Sequence, residues 1–186
     1  IKIDTQSSFE YDAYGRALSY SLESKAIYGT DGEKISYFDV VMTYPHKDDP
    51  SKTDTVTTTE YLDSAKAEIV KIDTQSSFEY DNYGRALSYN LVSKAIYGTD
   101  GEKISYFDVI MTYAHKDDPS KAKTVTTTEY LDSSKAEIVK IDTQSSFEYD
   151  AYGRALSYSL ESTAIYGTDG EKTAYFDVVM AYAHKD

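Results

Sequence analysis

Phe9-Glu-Tyr-Asp-Ala-Tyr-Gly-Arg-Ala-Leu-Ser-Tyr20 reads as a strand, a tight turn and a second strand, and it returns as Phe78 to Tyr89 and as Phe147 to Tyr158. Each copy is therefore a candidate β-hairpin, and the rest of the chain sits at a fixed offset from it. Lys2-Ile-Asp-Thr-Gln-Ser-Ser-Phe9 recurs at Lys71 and Lys140, a period of 69 residues. The 186-residue chain thus divides into 1–69, 70–138 and a shortened third copy, 139–186. The first two copies differ at nine positions, among them Ala13/Asn82, Ser21/Asn90, Val41/Ile110 and Asp54/Lys123. Near-identity of this degree points to a module whose value lies in its number, since a catalytic or binding site needs to be made only once.

Within one complete phase the pattern predicts four strands. The first runs over Thr124 to Leu131, equivalent to Thr55 to Leu62, and the second from about Ala67 to Tyr80. In that second strand Val70, Ile72, Thr74, Ser76, Phe78 and Tyr80 fall on one face, with Lys71, Asp73, Gln75 and Glu79 on the other. The third strand is expected from Arg85 to Tyr97, with Leu87, Tyr89, Leu91 and Ala95 on one side. The fourth, Lys103 to Tyr113, places Phe107, Val109 and Met111 opposite Ile104, Tyr106 and Ile110, and reads as buried on both sides. Between the third and fourth, Asp31-Gly32, Asp100-Gly101 and Asp169-Gly170 are hairpin turns, because Gly tolerates positive φ. The expectation is an all-β, elongated array of about four long antiparallel strands per copy: a solenoid, a ribbon or stacked sheets. Strands side by side at about 4.8 Å advance such an array by roughly 19 Å per copy. The unpaired edges of a cut array are a route to end-to-end addition.

Composition agrees. Twenty Tyr and six Phe, with many Thr, Val and Ile, suit a pleated and half-buried surface. A net charge of −13 disfavours nucleic acid as a partner, since binding phosphates needs a basic face, and it disfavours anionic membranes. There is no Cys, hence no disulfide, thiolate nucleophile or Cys-ligated zinc. No stretch approaches a membrane span. The chain opens on Ile1-Lys2-Ile3 in the middle of a strand pattern, so it reads as part of a longer array.

Few residues invite a chemical reading, and no cofactor is expected. His46 with Asp48 and Asp49, and His115 with Asp117 and Asp118, are thin donor sets for a divalent ion and read instead as a solvated loop. Asp31-Gly-Glu33 is too short for a calcium loop. Ser7 and Ser8 have no neighbouring base. The Tyr positions 11, 14, 20, 28, 37 and 44, repeated in each copy, are expected to form cross-strand ladders.

The hairpin resembles the YD repeat of bacterial Rhs and wall-associated proteins, whose core is Tyr-Asp, two residues, then Gly-Arg-Leu. The matching positions are Tyr11, Asp12, Gly15 and Arg16; Tyr80, Asp81, Gly84 and Arg85; and Tyr149, Asp150, Gly153 and Arg154. An extra Ala between Arg and Leu, and the long period, depart from that pattern. Asp would accept backbone N–H bonds in the turn, Gly would supply positive φ, and Arg would pair across the hairpin with a carboxylate such as Glu10. Tyr61-Leu-Asp63-Ser-Ala-Lys66 has the look of a decayed version of the same turn. The resemblance implies secreted or cell-surface β-structure built by hairpin stacking. The expected function is a non-enzymatic segment of a bacterial extracellular fibre, stalk or adhesin that associates with itself. The alternatives are a carbohydrate or cell-surface binding module with Tyr-rich faces, and an Rhs-like encapsulating shell. An intramolecular isopeptide bond, as in some Gram-positive adhesins, would join a Lys to an Asn or Asp beside an acid. Asn82 and Asn90 occur only in the second copy, so an Asn-based bond is not a general device.

Overall fold

The structure, a computed structural model, describes residues 2–27, 33–44, 52–97, 101–113, 121–150, 155–166 and 170–180. They form eleven strands: β1 (Lys2–Tyr11), β2 (Ala17–Ile27), β3 (Glu33–Thr43), β4 (Thr55–Tyr61), β5 (Ile69–Tyr80), β6 (Ala86–Ile96), β7 (Glu102–Tyr113), β8 (Ala122–Tyr130), β9 (Ile138–Tyr149), β10 (Ala155–Ile165) and β11 (Glu171–Val179). All eleven belong to one open antiparallel sheet in which strand order follows chain order. Of the arrangements open to an all-β array, a single sheet is the one that forms. Each full copy supplies four strands, β1–β4 and β5–β8, and the third supplies β9–β11. By compactness the chain divides into one unit of Ile1–Ser77 with Val92–Ile104 and another of Phe78–Leu91 with Ser105–Asp186.

In the first unit, β2 and β3 pair without interruption from Ser19↔Val41 to Ile27↔Glu33. β3 and β4 pair from Tyr37↔Tyr61 to Thr43↔Thr55. Residues opposite each other share a face, so Leu22, Phe38, Val40, Met42 and Val56 lie together. The other face carries Ser21, Glu23, Tyr37, Asp39, Val41 and the odd-numbered Thr residues of β4. In the second unit the β7–β8 register repeats the β3–β4 register, from Tyr106↔Tyr130 to Thr112↔Thr124.

The alternation predicted for the long strand Ala67 to Tyr80 is overturned at one residue. Ser8, Ser77 and Ser146 adopt φ of 55°, 54° and 54°, the left-handed region. The register accordingly steps from Ser7↔Ser21 to Glu10↔Ser19, with three residues of β1 spanning two of β2, and the same step occurs between β9 and β10. This is a β-bulge, and one added residue turns every following side chain to the opposite face. Phe9 therefore joins the face of Gln6, Leu22 and Tyr20, with its ring centroid 5.5 Å from that of Tyr20. Phe78 and Tyr80 likewise do not share a face with Val70 and Ile72 as the period-2 pattern predicts. Phe78 packs on Tyr89 at 5.3 Å and stacks on Tyr80 at 5.8 Å. The bulge thus collects three aromatic rings per copy into a cluster, which alternation alone would have split between two faces.

The reading of Lys103 to Tyr113 as buried on both sides also needs correction. The buried apolar side chains among the described residues are Val40 and Val109, each 5% exposed, while Ile104 and Ile110 are 40% and 53% exposed. In β7 the face of Val109 is shielded by neighbouring side chains of the same sheet, and the face of Ile104 and Ile110 is open.

Candidate functional site

The hairpin turn after β1 is built around the Asp12 carboxylate. Asp12 Oδ1 accepts from the backbone N–H of Tyr14 and of Arg16, both at 2.9 Å. The N–H of Asp12 donates to the Arg16 carbonyl at 3.0 Å, and that of Gly15 to the Asp12 carbonyl at 3.1 Å. Gly15 and Gly84 have φ of 79° and 78°, which a side chain at Cβ would oppose, even though open space surrounds Gly15. The Asp81 turn repeats these bonds with Tyr83 and Arg85.

The arginine's partner differs from expectation. Arg16 Nε donates to Asp12 Oδ2 at 2.6 Å, inside the turn, and Arg85 donates to Asp81 at 2.5 Å. Glu10 instead accepts from the Ser19 hydroxyl at 3.1 Å. Ion pairing within the turn leaves the guanidinium over aromatic rings. Its carbon lies 4.5 Å from the Tyr44 ring centroid and 5.3 Å from that of Tyr14, with Tyr113 and Tyr83 in the same places around Arg85. The Tyr44 hydroxyl donates to the Ala17 carbonyl at 3.0 Å, tying the end of β3 to the start of β2. A cation–π contact of this kind contributes about 0.5–1 kcal/mol at exposed sites and more where water is excluded. The hairpin tip is therefore a small polar core of Asp, Arg and Tyr.

A second constellation, missed in the sequence, lies on the opposite face. The Asp63 turn opens as the Asp12 turn does: Asp63 Oδ1 accepts from the N–H of Ala65 at 2.9 Å, and the N–H of Lys66 donates to the Asp63 carbonyl at 3.2 Å. In the place of Gly stands Lys66 with φ 54°, and Lys135 with φ 56° in the next copy. Left-handed backbone costs a non-Gly residue about 1–2 kcal/mol, so the lysine must return more than glycine would. It reaches back over the sheet to ion-pair with Asp39 of β3 and to donate to Ser21 Oγ of β2 at 2.9 Å. Ser21 donates to Asp39 at 2.8 Å. In the second copy Lys135 pairs with Asp108 and donates to Asn90 Oδ1 at 3.0 Å, and Tyr130 donates to Asp108 at 3.0 Å. One side chain thus fastens the turn between the fourth strand and the next first strand to β2 and β3, or to β6 and β7. The visible signal was an Asp-Ser-x-Lys turn with Lys where Gly belongs.

The Lys135, Asn90 and Asp108 triad has the residue types of an isopeptide site. Such a site requires all three groups to be buried, whereas Lys135 and Asp108 are each about 30% exposed and in direct ion contact. The intact mass of the chain is therefore expected to equal that of the linear sequence, and loss of one ammonia would contradict this reading.

These carboxylates also set the response to pH. Burial pushes Asp39 up, but hydrogen bonds from Lys66 and Ser21 and the Lys66 charge outweigh it and hold the group below 3.8. Asp12 and Asp81 behave alike: burial raises them, and the backbone and side-chain bonds of Arg16 or Arg85 carry them lower. Asp132 is lowered chiefly by its bond from Ser134. Burial raises Tyr61, Tyr113 and Tyr130 above 10.0, helped at Tyr61 and Tyr130 by Asp39 and Asp108. A depressed carboxyl contributes stability that is present above its unfolded value and is lost as pH falls through the folded one. A raised phenol contributes stability that is present below its unfolded value and is lost as pH rises through the folded one. The urea midpoint is accordingly expected to be flat from about pH 5 to 9 in respect of these groups, and to fall outside that window.

The remaining predicted positions divide simply. Gly101 and Gly170 have φ of 94° and 95°, and the N–H of Tyr97 or Tyr166 closes each turn onto the glycine carbonyl at 2.9 Å. Tyr149 stacks on Phe147, and Asp150 directly follows β9. Asp31, Gly32, Asp100, Asp169, Gly153 and Arg154 lie outside the described residues, as do His46, Asp48, Asp49, His115, Asp117 and Asp118. Among the described residues no group of three or more His, Asp or Glu is placed to hold a metal. Chemically, these constellations clamp backbone to backbone. No family model, curated protein or solved structure matches the chain.

Proposed function

We propose that this chain is a non-enzymatic structural segment of a bacterial extracellular fibre, stalk or adhesin, acting through length and stiffness, and that it associates with itself. One observation carries the reading: strand order follows chain order throughout the sheet, so a further copy would add four more strands by the same pairing. The ties are of the kind a repeated load-bearing module needs. Each clamp fixes a turn, and the lysine clamp joins non-adjacent strands, so pulling on one strand loads several.

Other observations support the reading. The Asp12 and Asp81 turns keep the Tyr-Asp and Gly-Arg pattern of YD repeats, and their bonds stay within the hairpin. The Phe and Tyr rings of each cluster pack on one another, which favours stiffening ladders over a glycan-binding face. Near-identical copies suit a regular fibre better than a closing shell. The net charge of −13 favours solubility and opposes indiscriminate lateral association. Small-angle scattering tests the proposal. An elongated particle is expected, and a radius of gyration near the ~16 Å of a compact domain of this length would sink it.

A further inference from the structure

Strands within the plane of this sheet do not cover its faces. β4 and β6 each lie between two strands, yet every residue of both is half-buried. A strand covered on one face buries alternate side chains instead. Among the described residues the buried side chains are Val40 and Val109. Strand order follows chain order, so further copies lengthen the sheet and leave its faces as they are. The uncovered faces therefore belong to interior strands and do not depend on where the sheet is cut. The chain exposes 12317 Å², against about 9,000 Å² for a compact chain of this size.

One face is apolar enough to be paired. In the first unit the rows Tyr20↔Val40↔Thr58 and Leu22↔Phe38↔Glu60 set Phe38, Val40 and Met42 beside Tyr20, Leu22 and Val56. The second unit has the row Met111↔Val125↔Gln144↔Leu160↔Phe176 next to Val109. Charges on this face cancel: over β2 to β5 they are Lys34 and Lys71 against Glu60 and Asp73. Lys172, Lys140, Glu129 and Asp142 are their counterparts in the second unit. The face is neutral in a chain of net charge −13. The opposite face is interrupted by the lysine clamp and by the threonines of β4.

We infer that the apolar face, that of Val40 in the first unit and of Val109 in the second, packs against the same face of a second copy of this chain. The two sheets then form a sandwich about 10 Å apart. Period, charge and area select that occupant. Each copy brings one aromatic cluster to the face, Phe9 with Tyr20, Phe78 with Tyr89 and Phe147 with Tyr158. A partner meets every cluster only if it has the same four-strand interval, as a second copy does. A neutral face meets its own copy without the repulsion that net charge imposes elsewhere. Half of the excess surface, one face's share, is about 1,500 Å² per chain, so a pair would bury about 3,000 Å², in the range of obligate homodimers. The inference rests on the self-association proposed above and names its surface.

The chain has no cysteine, so single introduced thiols report each face separately. Thr58→Cys places one beside Val40 on the apolar face, and Thr57→Cys places one beside Val41 on the other. Alkylation of each by N-ethylmaleimide is followed as chain concentration rises through the micromolar range, alongside the mass of the unsubstituted chain from sedimentation equilibrium. A dimer is expected at the upper end, with Thr58→Cys modified at least about tenfold more slowly than in dilute solution and Thr57→Cys unchanged. An unsubstituted chain that stays monomeric overturns the inference and self-association together. Association that leaves Thr58→Cys as reactive as in dilute solution, or that protects Thr57→Cys, overturns the choice of face and leaves self-association standing.

Discussion

Val109→Asp is expected to lower the unfolding free energy by more than about 3 kcal/mol, the largest effect of any single substitution in this chain. Val109 and Val40 are the buried apolar side chains among the described residues. Val109 occupies the middle of β7, opposite Thr127 of β8. Beside it on that face of the strand lie Phe107 and Met111. In a single sheet little other buried apolar surface offsets the loss. The neighbouring position gives the contrast. Ile110 points to the other face and is 53% exposed, so Ile110→Thr is expected to change stability by less than about 1 kcal/mol. Urea unfolding followed by far-UV circular dichroism reads both. Equal effects at the two positions would mean that both faces of β7 are covered, contrary to the structure.

Ser146→Val is expected to cost about 1–2 kcal/mol, whereas deletion of Ser146 is expected to leave the third aromatic cluster assembled. The Ser146 side chain is exposed. Its backbone, at φ 54°, absorbs one extra residue and so keeps Phe147 and Tyr149 on the face of Tyr158. Without that residue Phe147 follows Ser145 directly, and plain alternation holds both rings on the same face as Gln144 and Leu160. Ser146→Gly separates the bulge from the side chain: relief of left-handed strain and the entropy of glycine nearly cancel, so less than about 1 kcal/mol is expected. Near-ultraviolet dichroism of the tyrosines reports the cluster directly. A deletion that abolishes this signal would show that the residue count before Phe147 does not set the faces.

The bulge also marks how far the sequence could be read. Turns were legible because Asp and Gly act on their own backbone: the Asp12 and Asp81 turns need no distant partner to be recognised. Strand positions were legible for the same local reason, since alternation and β-branched content belong to each segment alone. The bulge was not, because Ser-Ser-Phe carries no residue that demands a left-handed backbone; only the requirement that Phe9 meet Tyr20 across the hairpin selects it. The lysine clamp was hidden differently. Lys66 and Ser21 are 45 residues apart, and nothing in either segment names the other. Glu10 looked like the partner of Arg16 because cross-strand pairs are the default in a hairpin. Asp12 wins because it already lies in the turn and needs no extended side chain to reach the guanidinium.

The turn at Asp63 shows what repetition does with such a motif. It keeps the opening bonds of the Asp12 turn, replaces Gly by Lys, and converts a chain reversal into a clamp across the sheet. Both versions serve the same end, fixing where each strand begins so that the next copy starts in register.

That account is tested most directly by the length of arrays built from one, two, three and four complete copies of the 69-residue unit. If each copy adds four strands to one sheet, the longest dimension from small-angle scattering rises by a constant increment, about 19 Å per copy at a strand spacing of about 4.8 Å. A dimension that grows only as the cube root of chain length, or that stops growing after the second copy, would contradict it.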